Sequence, residues 1–174
     1  MADHRQTFEA LVLPHMDAAY NLARWLSRSP ADADDIVQDA MLRAFRGFDG
    51  FRGESFRPWL LTIVRNCWRS NAAQTNRRAH DPLPDEDKSP LKSDDPDPEA
   101  GALRASDGRQ LELLIATIPN DFREVLILRE IEDLSYREIA EATGAPIGTV
   151  MSRLARARAM LKEKWLAEER HGVR

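Results

Sequence analysis

Residues 134–161, LSYREIAEATGAPIGTVMSRLARARAML, leave this chain fewer choices than any other stretch. Ser135 followed by Glu138 is a capping box, in which each side chain satisfies an orphan amide at a helix start. It predicts a short helix over roughly 136–143. Gly144 supplies the left-handed residue that ends a helix, and Pro146 suits the first position of the next one. That second helix carries Val150, Leu154, Ala157 and Leu161 on one apolar stripe. Roughly opposite lie Ser152, Ala155 and Arg156, flanked by Thr149 and Arg153. The pattern is a helix-turn-helix, whose second helix can enter a DNA major groove.

Any helical hairpin has caps and an apolar stripe, so charge has to decide whether this one meets DNA. Between residues 147 and 164 there are five basic side chains against one acid. The exposed positions near the helix start (Gly148, Thr149, Ser152, Ala155) are small or hydroxylic, which lets the backbone approach base edges and phosphates. Both features favour DNA binding over a plain hairpin.

The whole chain has 174 residues and a net charge of −4, so any DNA contact has to use local basic surfaces rather than a uniform coat. Hydrophobic residues at 43% suffice for real cores. A single cysteine, Cys67, excludes an internal disulfide framework and fits a reducing compartment. No apolar run approaches the roughly 20 residues that span a bilayer, and the N-terminus lacks the apolar core of a signal peptide. No membrane insertion and a cytoplasmic location are expected.

Residues 3–28 read as helix, with Phe8, Leu11, Val12, Met16, Ala19, Tyr20, Ala23 and Leu26 toward a core and Pro14 as a kink. Ser29 caps a second helix with Pro30 at its first position. Its buried stripe is Ile36, Val37, Ala40, Met41, Ala44 and Phe45. Leu42 falls nearly opposite, among Asp35, Gln38, Asp39 and Arg46. It is either one of the many ordinary exposed leucines or the apolar centre of a docking patch with a polar rim.

A glycine-rich loop, GFDGFRGES, follows at 47–55. Phe48 is expected to pack back onto the helices. Ser55 then caps a third helix with Leu60, Ile63, Val64 and Cys67 on its apolar face. Thr62, Arg65, Asn66 and Arg69 make a polar stripe, and Trp59 lies nearer that stripe than the core. Aromatic rings beside amides and arginines suit single-stranded nucleic acid, because every base has a face to stack on. A solvated basic face with a tryptophan packed on its neighbour fits the same residues.

From 80 to 103 the periodicity collapses into five prolines and eight acids against two lysines. That composition marks a linker, assigned to 80–104 between domains at 1–79 and 105–174. In the second domain Leu111, Leu114, Ile115 and Ile118 predict a helix ended by Pro119. Asn120 or Asp121 is expected to cap the next, which carries Phe122, Val125, Leu126, Leu128 and Ile131. No alternation of β-branched residues suggests a sheet. The expected fold is all-α: two small helical domains joined by a flexible acidic linker, the C-terminal one a helix-turn-helix. The sequence holds no glycine-rich phosphate loop, clustered metal ligands or nucleophile motif, so no cofactor, metal or catalysis is expected. Asp34-Asp35 diverge on a helix and make a poor catalytic pair.

ADADDIVQDAMLRAF (31–45), FRGESFRPWLLTIVRN (51–66) and LSYREIAEATGAPIGTVMSRLARAR (134–158), in this order, resemble an extracytoplasmic-function (group IV) sigma factor of the sigma-70 family. The resemblance covers nearly the whole chain, although response-regulator output domains share the third motif. It implies that Asp35, Gln38, Asp39 and Leu42 dock on the β′ clamp helices of core RNA polymerase. It implies that the loop and third helix open the minus-ten element and capture an unstacked base, through Phe51, Arg52 and Ser55, with Trp59, Arg65, Asn66 and Arg69 behind them. It implies that Thr149, Ser152, Arg153 and Arg156 read the minus-thirty-five element, while Tyr136 and Arg137 hold phosphates. The implied partners are core polymerase (β′ clamp helices and β flap), promoter DNA and an anti-sigma factor. Met151 stands where many relatives carry a lysine or arginine, and Ala155 where bulkier residues are common, so the preferred promoter bases do not follow. Two other classes fit the same domains: a helix-turn-helix regulator with an N-terminal sensing or dimerisation domain, and a helical adaptor with no DNA role.

Overall fold

The computed structural model describes residues 4–27, 29–53, 55–79 and 100–172, and among them there are eight α-helices and no strand. Helices α1 (His4–Val12) and α2 (Met16–Leu26) flank a 3₁₀ turn at Leu13–His15, where Pro14 interrupts the α-helical ladder. Helix α3 (Pro30–Gly47) is capped by Ser29, whose hydroxyl accepts the Asp32 amide at 3.1 Å. Helix α4 (Phe56–Ala79) lies against α2 and α3. The C-terminal half holds α5 (Ala100–Ala116), α6 (Asn120–Glu130), α7 (Tyr136–Thr143) and α8 (Ile147–Gly172). The acidic segment at 80–99 lies outside the described residues, and α5 begins inside the last five positions read as linker.

The helix-turn-helix forms by the local chemistry read from its sequence. Ser135 accepts the Glu138 amide, Glu138 accepts the Ser135 amide, and Gly144 takes φ = 68° at the end of α7. Pro146 sits one residue earlier than expected, just outside α8, where its carbonyl accepts the Val150 amide at 3.0 Å. Val150, Leu154 and Ala157 are buried against α6 and α7, and Leu161 is half-buried.

The two halves do not stand apart. Helix α2 packs on α5 and α6, α4 packs on α7, and one continuous apolar core runs through both halves. This packing explains where the periodicity misleads. Helix α6 is covered on several sides, so six consecutive residues, Arg123 to Leu128, are buried instead of a single stripe. Ile127 is fully buried, while Ile131 is left exposed at the helix end. Helix α4 is likewise covered on two sides, so Leu61 and Trp68 are buried besides Leu60, Val64 and Cys67, and Ile63 is only half-buried. In the first helices Leu22 is fully buried whereas Leu11 and Tyr20 face solvent. Phe45 is exposed on one side and set edge-on to Phe8.

The expected cap of α6 is also different. Pro119 occupies the cap position with no side-chain cap; the Asn120 side chain accepts the Arg123 guanidinium, and Asp121 turns toward α4.

Gly144 has open space around it, so a substitution there meets only the backbone cost of a left-handed L-residue, about 1–2 kcal/mol. Gly144→Ala is therefore expected to lower the thermal midpoint by several degrees with an unchanged far-UV circular dichroism spectrum. An unchanged midpoint would remove the αL cap from the account.

Candidate nucleic-acid and partner interface

The patch on α3 is open. Asp35 and Gln38 are exposed, Leu42 is 57% exposed, and Asp39 is half-buried. Arg43, one turn on, donates to the Asp39 carboxylate at 3.1 Å. Asp39 also bears on Cys67 of α4: burial first, then the nearby carboxylate, pushes that thiol up to about 12. The thiol therefore stays protonated at pH 8 and is a poor nucleophile there. Iodoacetamide at pH 8 is expected to leave native Cys67 unmodified over hours and to alkylate it fully in urea, read by mass spectrometry; fast native labelling would refute the burial.

The glycine-rich loop is an aromatic knot. Phe48 meets Phe8 and Phe56, as expected. The Phe51 ring also packs inward, with centroids 5.5 Å from Phe56 and 5.0 Å from Trp59. Gly53 permits this, because a Cβ there would approach a Phe51 ring carbon to 3.0 Å. Arg52 folds back on its own loop, donating to the carbonyls of Asp49 at 2.7 Å and Phe51 at 3.0 Å. Ser55 is exposed.

Arg65 and Arg69 of the α4 polar stripe face a protein surface rather than open solvent. Arg65 donates to both oxygens of Glu124 in α6, at 2.8 and 2.9 Å. Arg69 donates to Glu124 at 3.0 Å and to Asp121 at 2.5 Å. The Glu124 side chain has no exposure, and those of Arg65 and Arg69 are 15% and 30% exposed. The hydrogen bond to Glu124 holds the Arg69 guanidinium above its ordinary value, and the bond from Arg69 holds Asp121 below the usual carboxylate range. Trp68 lies between Arg69 and Arg123, with guanidinium carbons 5.2 and 5.7 Å from the ring centroid. Further along the seam, Arg57 donates to the backbone carbonyl and the carboxylate of Glu132, both at 2.8 Å. Burial raises the Glu132 carboxyl, and Arg57 offsets part of that rise. Asn66 remains exposed, accepting from Arg65 at 3.1 Å.

The helix-turn-helix presents Ser152 and Arg156 to solvent, with Thr149 and Arg153 half-buried. Ser152 donates to the Thr149 carbonyl at 3.0 Å. Arg153 reaches Asp121 at 4.0 Å, so Asp121 stands between arginines of α4 and α8. Arg137 is exposed beside Glu141 at 3.3 Å. Tyr136 is half-buried with the Arg129 guanidinium 5.2 Å from its ring centroid.

Sequence reasoning missed two features. One is the carboxylate pair Asp121 and Glu124, whose role depends on contacts across more than fifty residues. The other is an apolar groove of about 510 Å³ lined by Leu111, Leu126, Leu161, Trp165 and Leu166 of α5, α6 and α8. The spacing of Leu161, Trp165 and Leu166 along the prolonged α8 was the available signal. Among the described residues no group of His, Cys, Asp and Glu could hold a metal ion, and no helix is long and apolar enough to cross a membrane.

Residues 11–78 match the family model for sigma-70 region 2, and residues 108–161 match that for sigma-70 region 4. The two family models thus match the two helical halves in succession, and the chain belongs to the sigma-70 family of transcription initiation factors. Its similar curated relatives include ECF RNA polymerase sigma factors. It is 35% identical to the ECF RNA polymerase sigma-E factor of Haemophilus influenzae, over 92% of this chain and 88% of that protein. It is 33% identical to ECF RNA polymerase sigma factor SigE of Mycolicibacterium smegmatis, over 90% of this chain but 61% of that longer protein. Among solved structures it resembles the sigma factor RpoE in complex with the anti-sigma factor NepR from Bartonella quintana. The TM-score is 0.74 at 27% identity, covering 91% of this chain and 96% of that one. CnrH in complex with the cytosolic domain of CnrY gives 0.67 at 26% identity, over 94% and 90%.

Proposed function

We propose that this chain binds core RNA polymerase and directs it to specific promoters, under the control of an anti-sigma factor. The observation that carries the reading is the pairing, in one chain, of an exposed acidic-leucine patch on α3 with a solvent-facing helix-turn-helix on α7 and α8. The membership in the sigma-70 family and the complex of a sigma factor with an anti-sigma factor among its structural relatives support it.

In this reading residues 1–79 dock on polymerase and engage the minus-ten element, 80–104 connect, and 105–174 engage the minus-thirty-five element. Leu42 enters an apolar contact on the β′ clamp helices, while Asp35, Gln38 and Asp39 supply the polar rim. Phe51, Trp59 and Asn66 offer rings and an amide to an unstacked base, with Arg52, Ser55, Arg65 and Arg69 on the flanking backbone. Thr149, Ser152, Arg153 and Arg156 face bases and phosphates in the major groove, and Tyr136 and Arg137 hold phosphates at its edge. The groove between α5, α6 and α8 receives an apolar helix end of the β flap. Each DNA contact is weak alone. Polymerase holds both regions at one spacing, so the second contact forms at high effective concentration. The chain itself catalyses nothing and works in the cytoplasm, where polymerase and chromosome are.

In vitro transcription with bacterial core polymerase on a promoter library is expected to yield transcripts only when the chain is added. Operator binding and activity without polymerase would favour a conventional helix-turn-helix regulator instead. Leu42→Arg with Gln38→Ala is expected to weaken core binding by about tenfold or more with an unchanged melting curve, since both side chains are exposed. Arg156→Ala is expected to cost about 1–3 kcal/mol in binding at the minus-thirty-five element, read from promoter titrations at fixed salt. Unaltered titrations would place the base-reading face elsewhere.

A further inference from the structure

The outward face of α8 has two unlike sides. At about 100° per residue, Ser152 lies nearly opposite the buried stripe of Val150, Leu154 and Ala157. Thr149 and Arg156 fall to one side of Ser152, Met151 and Ala155 to the other. The first side is hydroxylic and cationic. The second is apolar: Met151 is 51% exposed and takes no part in the core, and Ala155 is exposed as well. Arg158, the next residue on that side, is committed to Glu130, with Nε 2.7 Å from the carboxylate. A phosphate contact needs a donor or a cation, and a thioether is neither. Among the groups that base pairs present in the major groove, the C5 methyl of thymine is the apolar one. Ser152 donates its proton to the Thr149 carbonyl at 3.0 Å, so its oxygen is left to accept from DNA. An acceptor beside an apolar side chain matches the amine of adenine beside the methyl of thymine.

We infer that Met151, with Ala155 beside it, reads the C5 methyl of a pyrimidine in the minus-thirty-five element, while Ser152 accepts the amine of the same or the adjoining pair. The inference deepens the promoter-reading role proposed above and rests on it. Met151 and Ala155 stand about 6 Å apart along the helix axis, against about 3.4 Å between successive bases of one strand. The apolar row therefore spans about two base steps. Ala155 adds only its own methyl and leaves room in the groove for that of a base. Thymine supplies the group in unmodified DNA, and 5-methylcytosine carries the same group beside an amine. A lysine or arginine at position 151 would hold a phosphate or a guanine edge instead. With methionine there, a charge-driven contact is exchanged for one that depends on a methyl group.

The test uses holoenzyme assembled from the full chain and core polymerase, on a promoter taken from the library experiment. Each thymine of the minus-thirty-five element, on either strand, is replaced in turn by deoxyuridine, which removes the methyl and keeps the base pair. At one or two positions, half-maximal binding is expected to need about fourfold more holoenzyme, the loss of one buried methyl. Deoxyuridine outside the element controls for effects on the duplex. In Met151→Ser the same replacement costs nothing further, whereas Met151→Leu, also apolar, keeps the penalty. The ratio of thymine to deoxyuridine binding is not moved by a general loss of affinity or stability. A methionine with only a structural role therefore leaves that ratio unchanged in Met151→Ser. Cytosine and 5-methylcytosine at the sensitive position separate the two sources of the methyl. Tighter binding of 5-methylcytosine shows that the methyl suffices, and equal binding makes thymine its sole source. No sensitive thymine, or a penalty that persists in Met151→Ser, overturns the inference. A wild-type chain that supports no transcription defeats the sigma reading. The methyl contact is then decided on the full chain alone, with random duplex pools made from thymidine or deoxyuridine triphosphate.

Discussion

A carboxylate without access to water has to be neutralised where it stands, and Glu124 is neutralised by arginines from a helix more than fifty residues earlier in the chain. Its position in the middle of α6 fixes much of what surrounds it. Arg65 and Arg69 must lie on the α6 side of α4, which sets the rotation of α4 about its axis. That rotation places Leu60, Val64 and Cys67 against α2 and α3 and puts Trp68 into the seam. A lone partner removed from such a group leaves a buried charge, typically a penalty of about 3–5 kcal/mol. The same pairing between solvated side chains would contribute little. Burial, rather than the number of ion pairs, is what makes this contact consequential.

The parts of the molecule governed by short-range chemistry were open to reading from sequence. The capping box at Ser135 and Glu138, the left-handed Gly144 and the stripe of Val150, Leu154 and Ala157 involve residues within a few turns of one another, and the structure forms them as read. The same holds for Ser29 and for the solvent-facing Leu42. The surroundings of α6 were not legible. Helical periodicity assumes one buried face, whereas α6 and α4 are covered on two or more, so Ile127, Leu61 and Trp68 are buried off the expected stripe. A glutamate between Arg123 and Val125 reads as a solvated charge until the guanidinium that meets it is known, and no local spacing reveals a partner fifty-nine residues away. For the proposed site residues, the sequence indicated which side chains could meet nucleic acid but not what they touch in the free chain. Phe51 on Trp59, Arg52 on its own loop and Arg65 on Glu124 are each internally occupied.

The arrangement links fold to function through competition among surfaces. The helix-turn-helix and the polar stripe of α4 are each modest in charge, and the chain as a whole is acidic. Neither could draw DNA by a broad electrostatic field. A protein of this kind gains selectivity by making its contacts conditional, since weak reads held at a fixed spacing by a large partner act together.

The α3 face lies outside the seam, and Leu42 stays uncovered while Arg65 and Arg69 are engaged. Given the docking role proposed for that face, the enzyme can capture the folded molecule without first waiting for a rare opened conformer. Encounter would proceed at the rate of two preformed surfaces meeting. Association would then scale with polymerase concentration throughout, the kinetic signature of a partner that lands on a surface already in place.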